Sequence, residues 1–299
     1  MGTTVSDAGN LLSALGAAGT PVPPSASLES VAGGSIHSAY RAQDGDRCWF
    51  IKTDVPGALI RFESEAAGLA LLAEADCFRV PRVLSCGSDS VRAWLVLEWL
   101  ELSPPATAAE GVQFARCLAQ LHGRCGAEFG LAHDNFIGAS PQRNACAGAW
   151  PYFFAQQRLL PQLEWAHSKG YRGPLQTHGA YLVEKLAGFF VDHRPQASLL
   201  HGDLWIGNAA MCEGKPAIFD PAVYYGDRET DLAMAELFGG FPAAFYPAYR
   251  EAHPLADGYE QRKHLYNLYH VLNHLNLFGR GYLRQAERMA AMLAAELRS

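Results

Sequence analysis

Eight consecutive residues, His201-Gly202-Asp203-Leu204-Trp205-Ile206-Gly207-Asn208, hold the most chemically specific pattern of this chain, with Asp220 twelve residues after Asn208 in Phe219-Asp220-Pro221. An Asp, an Asn five residues on and a second Asp shortly after is the spacing of a phosphoryl-transfer loop. In such a loop Asp203 would accept the proton of an attacking hydroxyl. Asn208 and Asp220 would offer two oxygen ligands to the Mg²⁺ that bridges nucleotide phosphates. The reaction asks little covalent chemistry of a protein and much positioning. A bare H-x-D-x-x-x-x-N arises by chance, and polar loop residues often do no more than cap turns. The second Asp, at the end of the apolar stretch Ala217-Ile218-Phe219, makes the pattern more specific.

Such a loop needs partners upstream that cradle phosphate and base. Gly33-Gly34-Ser35-Ile36-His37-Ser38 is a small-residue turn before a strand, where backbone N–H groups can approach phosphates; an ordinary hairpin turn would look the same. Lys52 ends the apolar run Trp49-Phe50-Ile51, an unusual place for a solvated lysine. Its ammonium would serve as a point charge for the α- and β-phosphates. The next helix carries Glu63 and Glu65, either of which could face solvent in place of orienting Lys52; Glu63 reads as the solvated one. Leu97-Glu98-Trp99-Leu100 ends a buried strand, and the Glu98 carbonyl and Leu100 N–H could pair with an adenine edge across Trp99. A plain edge strand is the simpler alternative. Four partners in the required order weigh more than any one of them.

The elements that must hold these residues follow from pattern. Residues 1–20 form a short Ala-rich helix. Ile36–Arg41 and Cys48–Lys52 pair as a hairpin about Asp44-Gly45-Asp46. Ile60–Ala75 is helical, and Val91–Leu100 is a buried strand. Beyond Pro104-Pro105 the chain reads as helices over 108–124, 148–168, 176–192, 230–239 and 257–297. A β-rich beginning and a helical remainder predict an α+β fold of two lobes, a nucleotide-binding 1–100 and a catalytic, substrate-binding 101–299.

Composition bounds the rest. The chain has 299 residues, 49% hydrophobic and 18% charged, with net charge −6 and pI about 6.0. That suffices for a large core. No basic run points to nucleic acid, no apolar stretch reaches membrane-spanning length, and no basic segment precedes Leu11–Ala18 as a signal peptide requires. Seven cysteines, odd in number and without C-x-x-C, read as reduced thiols of a cytoplasmic protein. Oligomeric state cannot be read from this sequence.

The arrangement resembles the protein-kinase-like fold and, more closely, the fructosamine kinase (ketosamine 3-kinase) family, over nearly the whole chain. Gly33-Gly34-Ser35-Ile36-His37 is similar to that family's nucleotide loop. Phe62-Glu63-Ser64-Glu65 with Gly68-Leu69 resembles its helix, which selects Glu65 as the partner of Lys52. Further similarity lies in Phe129-Gly130-Leu131, Asp134-Asn135-Phe136-Ile137-Gly138, Pro141-Gln142, Asn144, Trp150, Phe153-Phe154 and Arg158. It continues in the loop's Trp205 and in Asp220-Pro221-Ala222, Tyr224 to Glu229 and Asp231-Leu232-Ala233. The resemblance implies a bilobal kinase using ATP and Mg²⁺ on the 3-hydroxyl of ketosamines, on free amines or glycated proteins, leading to deglycation. An aminoglycoside- or choline-kinase-like phosphotransferase is the alternative, and a catalytically silent nucleotide-binding protein a second. Where some members carry a Cys in the nucleotide loop, this chain has Ser35, and the nearest thiol is Cys48, so thiol control of the loop is not expected.

Several residues resemble sites and are better read otherwise. His270 and His274 lie four apart on a helix, a metal spacing, but with no Glu after the first and no third ligand. They read first as core histidines. In the kinase reading their helix lines the sugar pocket, and His201, Trp205, His270 and His274 become candidate substrate contacts. Asp227, Arg228 and Asp231 read as a structural ion-pair network, and Trp150 to Phe154 as helix packing. Gly207 reads as a backbone device at a tight loop.

Overall fold

A computed structural model of the chain describes residues 5–31 and 37–298. Two compact units emerge: Met1–Ser103 with Cys212–Asp220, and Pro104–Met211 with Pro221–Ser299. The division falls near the expected residue 101, but residues 212–220 return to the first unit, so Asp220 belongs with Lys52 and not with Asp203.

The first unit is built on an antiparallel sheet of β1 (Ser27–Ser30), β2 (Ser38–Asp44), β3 (Arg47–Asp54), β4 (Val83–Ser88) and β5 (Ala93–Glu98), in the order β1-β2-β3-β5-β4. The β2–β3 hairpin turns at Gly45, whose φ of +59° suits glycine. Helix α1 (Val5–Ala17) packs Leu11, Leu12 and Leu15 against Trp49, Ile51, Trp94 and Val96. Side chains alternate along a strand, so Lys52, next to Ile51, leaves by the other face. There it meets α2 (Leu59–Glu74), whose buried stripe Phe62, Leu69 and Leu72 includes the Glu65 position. Glu63, off that stripe, is exposed. Helix geometry thus separates the two glutamates, with Glu63 on the solvated side as expected.

The second unit is mainly helical. Helix α3 (Ala108–His122) starts at a Thr107–Glu110 capping box. It is followed by the β6 (Asn135–Ile137) and β7 (Ser140–Gln142) hairpin, then α4 (Trp150–Phe153), a π-helical turn over Phe154–Leu159, α5 (Leu160–Ser168) and α6 (Pro174–Lys185). β8 (Ser198–Leu200) leads into the loop of interest. β9 (Ala209–Cys212) leaves it and leads to β10 (Lys215–Ile218), which belongs to the first unit, and β11 (Tyr224–Gly226) pairs back on β8. Helices α7 (Glu229–Phe238), α8 (Phe245–Ala252), α9 (Tyr259–Phe278) and α10 (Leu283–Glu296) complete the unit. Its core joins Trp150, Phe153, Phe154, Leu182, Leu200, Tyr266, Leu272 and Leu293.

Two expectations need correcting. The helix read over 257–297 is two helices, broken at Gly279 (φ +90°), which ends α9 because glycine alone takes that conformation cheaply. Strand β4, helix α8 and, in the stretch read as helical, strands β6 to β11 were not foreseen. Among the described residues no helix is long and apolar enough to cross a membrane, and all seven cysteines are free thiols.

Candidate active site

In the first unit one lysine joins two carboxylates. Lys52, 2% exposed, donates to Glu65 Oε1 at 2.7 Å and to Asp220 Oδ1. Burial opposes the lysine charge, but Asp220 and Glu65 outweigh it and hold Lys52 above the ordinary lysine range. Burial pushes Glu65 up to about 7 against the pull of Lys52. Asp220 moves the other way: its loss of water is outweighed by Lys52, and it stays below the usual carboxylate range. Its side chain remains 41% exposed, and its backbone sits at φ +55°, a conformation uncommon outside glycine but tolerated by Asp. The segment before it is fixed by Arg79, whose N–H donates to Pro216 O and whose carbonyl accepts from Ile218 N. His37 packs edge-on against Phe62, and burial with the nearby Lys52 charge pushes its imidazole down to about 4. The phosphate-loop candidates Gly33, Gly34 and Ser35 lie outside the described residues.

The strand end proposed for adenine is braced by charge. Glu98 pairs with Arg79 at 2.5 Å and Arg82 at 2.7 Å, and its N–H donates to Arg82 O. Trp99 lies beneath the Arg41 guanidinium, 5.1 Å from the ring centre, and donates to Glu101. Trp99 and Leu100 are half-buried.

In the second unit the loop after β8 is held from below. Asp231 accepts from the N–H groups of His201 (2.8 Å) and Gly202 (2.9 Å), and itself contacts His122 Nε2 at 3.2 Å. Gly202 has φ +83°, and a Cβ there would come within 2.0 Å of Ala222 O, so no other residue fits. His201 is buried, and its Nδ1 accepts from Asp203 N–H at 3.2 Å. That placement suits loop positioning more than the substrate contact expected of it. Asn208 turns back on the loop: its Nδ2 donates to Asp203 O (3.0 Å) and Asp203 Oδ2 (3.2 Å). One amide therefore orients the carboxylate through its nitrogen, while its oxygen is of the type that ligates metals. Asn208 Oδ1 and the Asp220 carboxylate are both hard oxygen donors of the kind Mg²⁺ takes.

Gly207 is required for a reason other than the expected one. Its φ is not positive; instead the Trp205 indole lies over it, and a Cβ would sit 2.2 Å from that ring. Trp205 is 38% exposed. On α9, His270 is buried, its Nδ1 has no partner among the described residues, and burial pushes it down to about 3. His274 donates from Nδ1 to His270 O at 2.8 Å.

The segment 134–144 turns out to brace the loop, a role the sequence did not disclose. Asn135 Nδ2 donates to Val223 O (2.7 Å), Gln142 Nε2 to Ala222 O (3.1 Å), and Tyr269 to Gln142 Oε1 (2.8 Å). Ala222 N–H in turn donates to His201 O. Beneath lies Arg158 in the π-helical turn, fully buried, donating to Asn144 Oδ1 at 2.8 Å and to Arg143 O. Its guanidinium stands 3.9 Å from the centre of the Tyr224 ring. A buried cation on aromatic faces and carbonyls compensates its lost hydration without a carboxylate. Trp150, Phe153 and Phe154 pack in the core around it. Asp227, near the loop, accepts from Tyr266 and His193 at 2.6 Å each. Glu229 takes a bidentate pair with Arg262. His193, Asp227 and Glu229 bring ligand atoms within 4.8 Å of one another, but these hydrogen bonds already engage them. Arg228 pairs with neither carboxylate: it donates to Tyr249 and to the carbonyls of His253 and Pro254.

A family model described as Fructosamine kinase matches residues 17–296. A protein of Synechocystis sp. named "Probable ketoamine kinase slr1563" is 46% identical over 262 residues, 87% of this chain and 88% of its own. A crystal structure named "Putative fructosamine-3-kinase", from Haemophilus somnus 129PT, superposes with a TM-score of 0.82 at 31% identity, covering 89% of this chain and 90% of that one. An aminoglycoside phosphotransferase structure, 16% identical with a TM-score of 0.63 over 91% of this chain and 95% of its own, shares the fold alone.

Proposed function

This chain belongs to the fructosamine kinase family of phosphotransferases, and on that premise we propose that it moves the terminal phosphoryl group of ATP to the 3-hydroxyl of a ketosamine. The acceptor is a 1-deoxy-1-amino-ketose carried by a free amine or a protein lysine. Its 3-phosphate sheds the sugar, which makes the role one of deglycation. The observation that carries the reading is the Asn208 amide bonded to both the carbonyl and the carboxylate of Asp203, inside the loop that defines such transfer.

Each residue then has a task. Asp203 orients the acceptor hydroxyl and takes its proton. Lys52, oriented by Glu65, holds phosphate oxygens, with Gly33, Gly34 and Ser35 supplying backbone donors. The Glu98 carbonyl and Leu100 N–H hold adenine beside Trp99. Asn208 and Asp220 hold Mg²⁺, which when bound neutralises phosphate charge. Trp205 and His270 contact the sugar, His274 the substrate beyond it, and His201 fixes the loop beneath.

An ADP-release panel tests this. Fructosyl- or ribulosyl-lysine should be used with a kcat/KM at least about 10³-fold above choline or kanamycin, because sites built to hydrogen-bond a hydroxyl reject analogues lacking it there by roughly 10⁴–10⁵. Preferential ATP consumption with kanamycin or choline would move the chain to the rival class.

A smaller effect is expected at Gly207. Gly207→Ala forces the Trp205 ring off its seat, and overpacking of this kind costs about 1–3 kcal/mol. The ketosamine KM should rise roughly tenfold or more with the ATP KM nearly constant. Equal changes in both constants would mean that Trp205 does not face the sugar.

A further inference from the structure

Beyond Trp205 the rings continue. Trp205 meets Phe238 edge-on at 6.1 Å between centres, Phe238 meets His274 at 5.2 Å, and His274 meets Phe278 at 5.4 Å and Tyr282 at 5.2 Å. Phe238 is 46% and Phe278 50% exposed. Large apolar residues exposed singly need no explanation, but a contiguous run does.

The run is built, not incidental. Phe238 ends α7, where Gly239 takes φ +64°. Gly240 follows at φ +99°, and a Cβ there would lie 2.6 Å from the Ile206 side chain. The turn that carries Phe238 is therefore seated on the same loop that carries Asp203. His274 and Phe278 are four apart on α9 and share a face, and Tyr282 closes the row from the turn after Gly279. Burial lowers the His274 pKa below its ordinary 6.5, so near neutrality the central ring carries no charge to repel a cation.

We infer that Trp205, Phe238, His274, Phe278 and Tyr282 form a shelf that binds the amine-bearing substituent of a small-molecule ketosamine, and that it favours substituents with flat apolar surface next to the ammonium. This inference rests on the proposed reaction. If the 3-hydroxyl is at Asp203, the amine on C1 is two carbons away, and its substituent must leave across residues bordering the loop. Trp205, two positions from Asp203, is such a residue and begins the row. Aromatic faces suit both parts of that group: they attract a protonated secondary amine and bury its apolar continuation. The sugar contributes the reacting hydroxyl, and the shelf contributes selectivity among amines.

The test is a set of ketosamines sharing one sugar and differing only in the amine: glycine, Nα-acetyl-lysine and benzylamine. The benzylamine adduct should show kcat/KM about tenfold or more above the glycine adduct, carried mainly by KM. Phe278→Ala and Phe238→Ala should each reduce that ratio to about threefold or less, and Phe278→Tyr should restore it. Tyr152→Ala, which removes an aromatic that is 62% exposed but outside the row, should leave the ratio as it was. A ratio near one in the unmodified protein, or one that survives both alanine variants, overturns the shelf while ketosamine kinase activity stands. Absence of turnover with every ketosamine overturns the functional reading and the shelf together.

Discussion

Asp203→Asn should leave a folded, nucleotide-binding protein that turns over about 10²–10⁴-fold more slowly, the usual cost of losing a positioned proton acceptor. The substitution is nearly isosteric. An amide oxygen at 203 can still accept from Asn208 Nδ2, and the backbone N–H of 203 can still donate to His201, so the loop keeps its frame. What disappears is the negative charge and the basic oxygen. Single-turnover rates with a ketosamine, beside a titration of the same variant with a fluorescent ATP analogue, separate chemistry from binding. A fall of less than about tenfold would remove Asp203 from its assigned role.

Asp220→Asn should be nearly as damaging through a different route. An amide is a poorer ligand for a hard cation than a carboxylate, and changes one shell further out already cost roughly 10–100-fold in affinity or activity at metal sites. A loss of at least about 100-fold at fixed Mg²⁺ is therefore expected, with partial recovery as Mg²⁺ is raised. The same change takes from Lys52 one of its two carboxylates, so Lys52→Arg and Glu65→Gln serve as controls. They should slow turnover without moving the Mg²⁺ midpoint. An unaltered Mg²⁺ dependence in Asp220→Asn would show that another residue is the ligand.

The residues proposed for the chemistry stand out in the sequence because their types are restricted and their spacing is short. Lys52 was visible as a cation in an apolar strand, and the structure gives the reason: strand alternation sends it toward α2 and away from the α1 core. Glu63 reads as the solvated one of the two glutamates, and the structure supplies the deciding fact: Glu65 shares a stripe with Phe62 and Leu69 while Glu63 is exposed. The brace made by Asn135, Gln142, Asn144 and Arg158 could be seen as a segment but not as a device, because its partners are backbone carbonyls some 80 residues away in the chain. Gly207 was noticed for the wrong physical reason, as clearance for an indole depends on where a side chain folds. The break at Gly279 was readable, for glycine after a long amphipathic run is a helix stop; the apolar continuation beyond it masked the signal. Strand β4 has no clean alternation of buried and exposed residues, and its register with β5 shifts between Val83 and Ser85.

The most direct measurement of the central claim is where the phosphorus goes. Ribulosyl- or fructosyl-lysine labelled with ¹³C at C3 is incubated with the enzyme, ATP and Mg²⁺, and the mixture is followed by ³¹P and ¹³C NMR. The account predicts a new phosphate monoester resonance coupled to the labelled C3, followed by its decay as free lysine appears. Inorganic phosphate released with no sugar ester, or an ester on any other carbon, would contradict it.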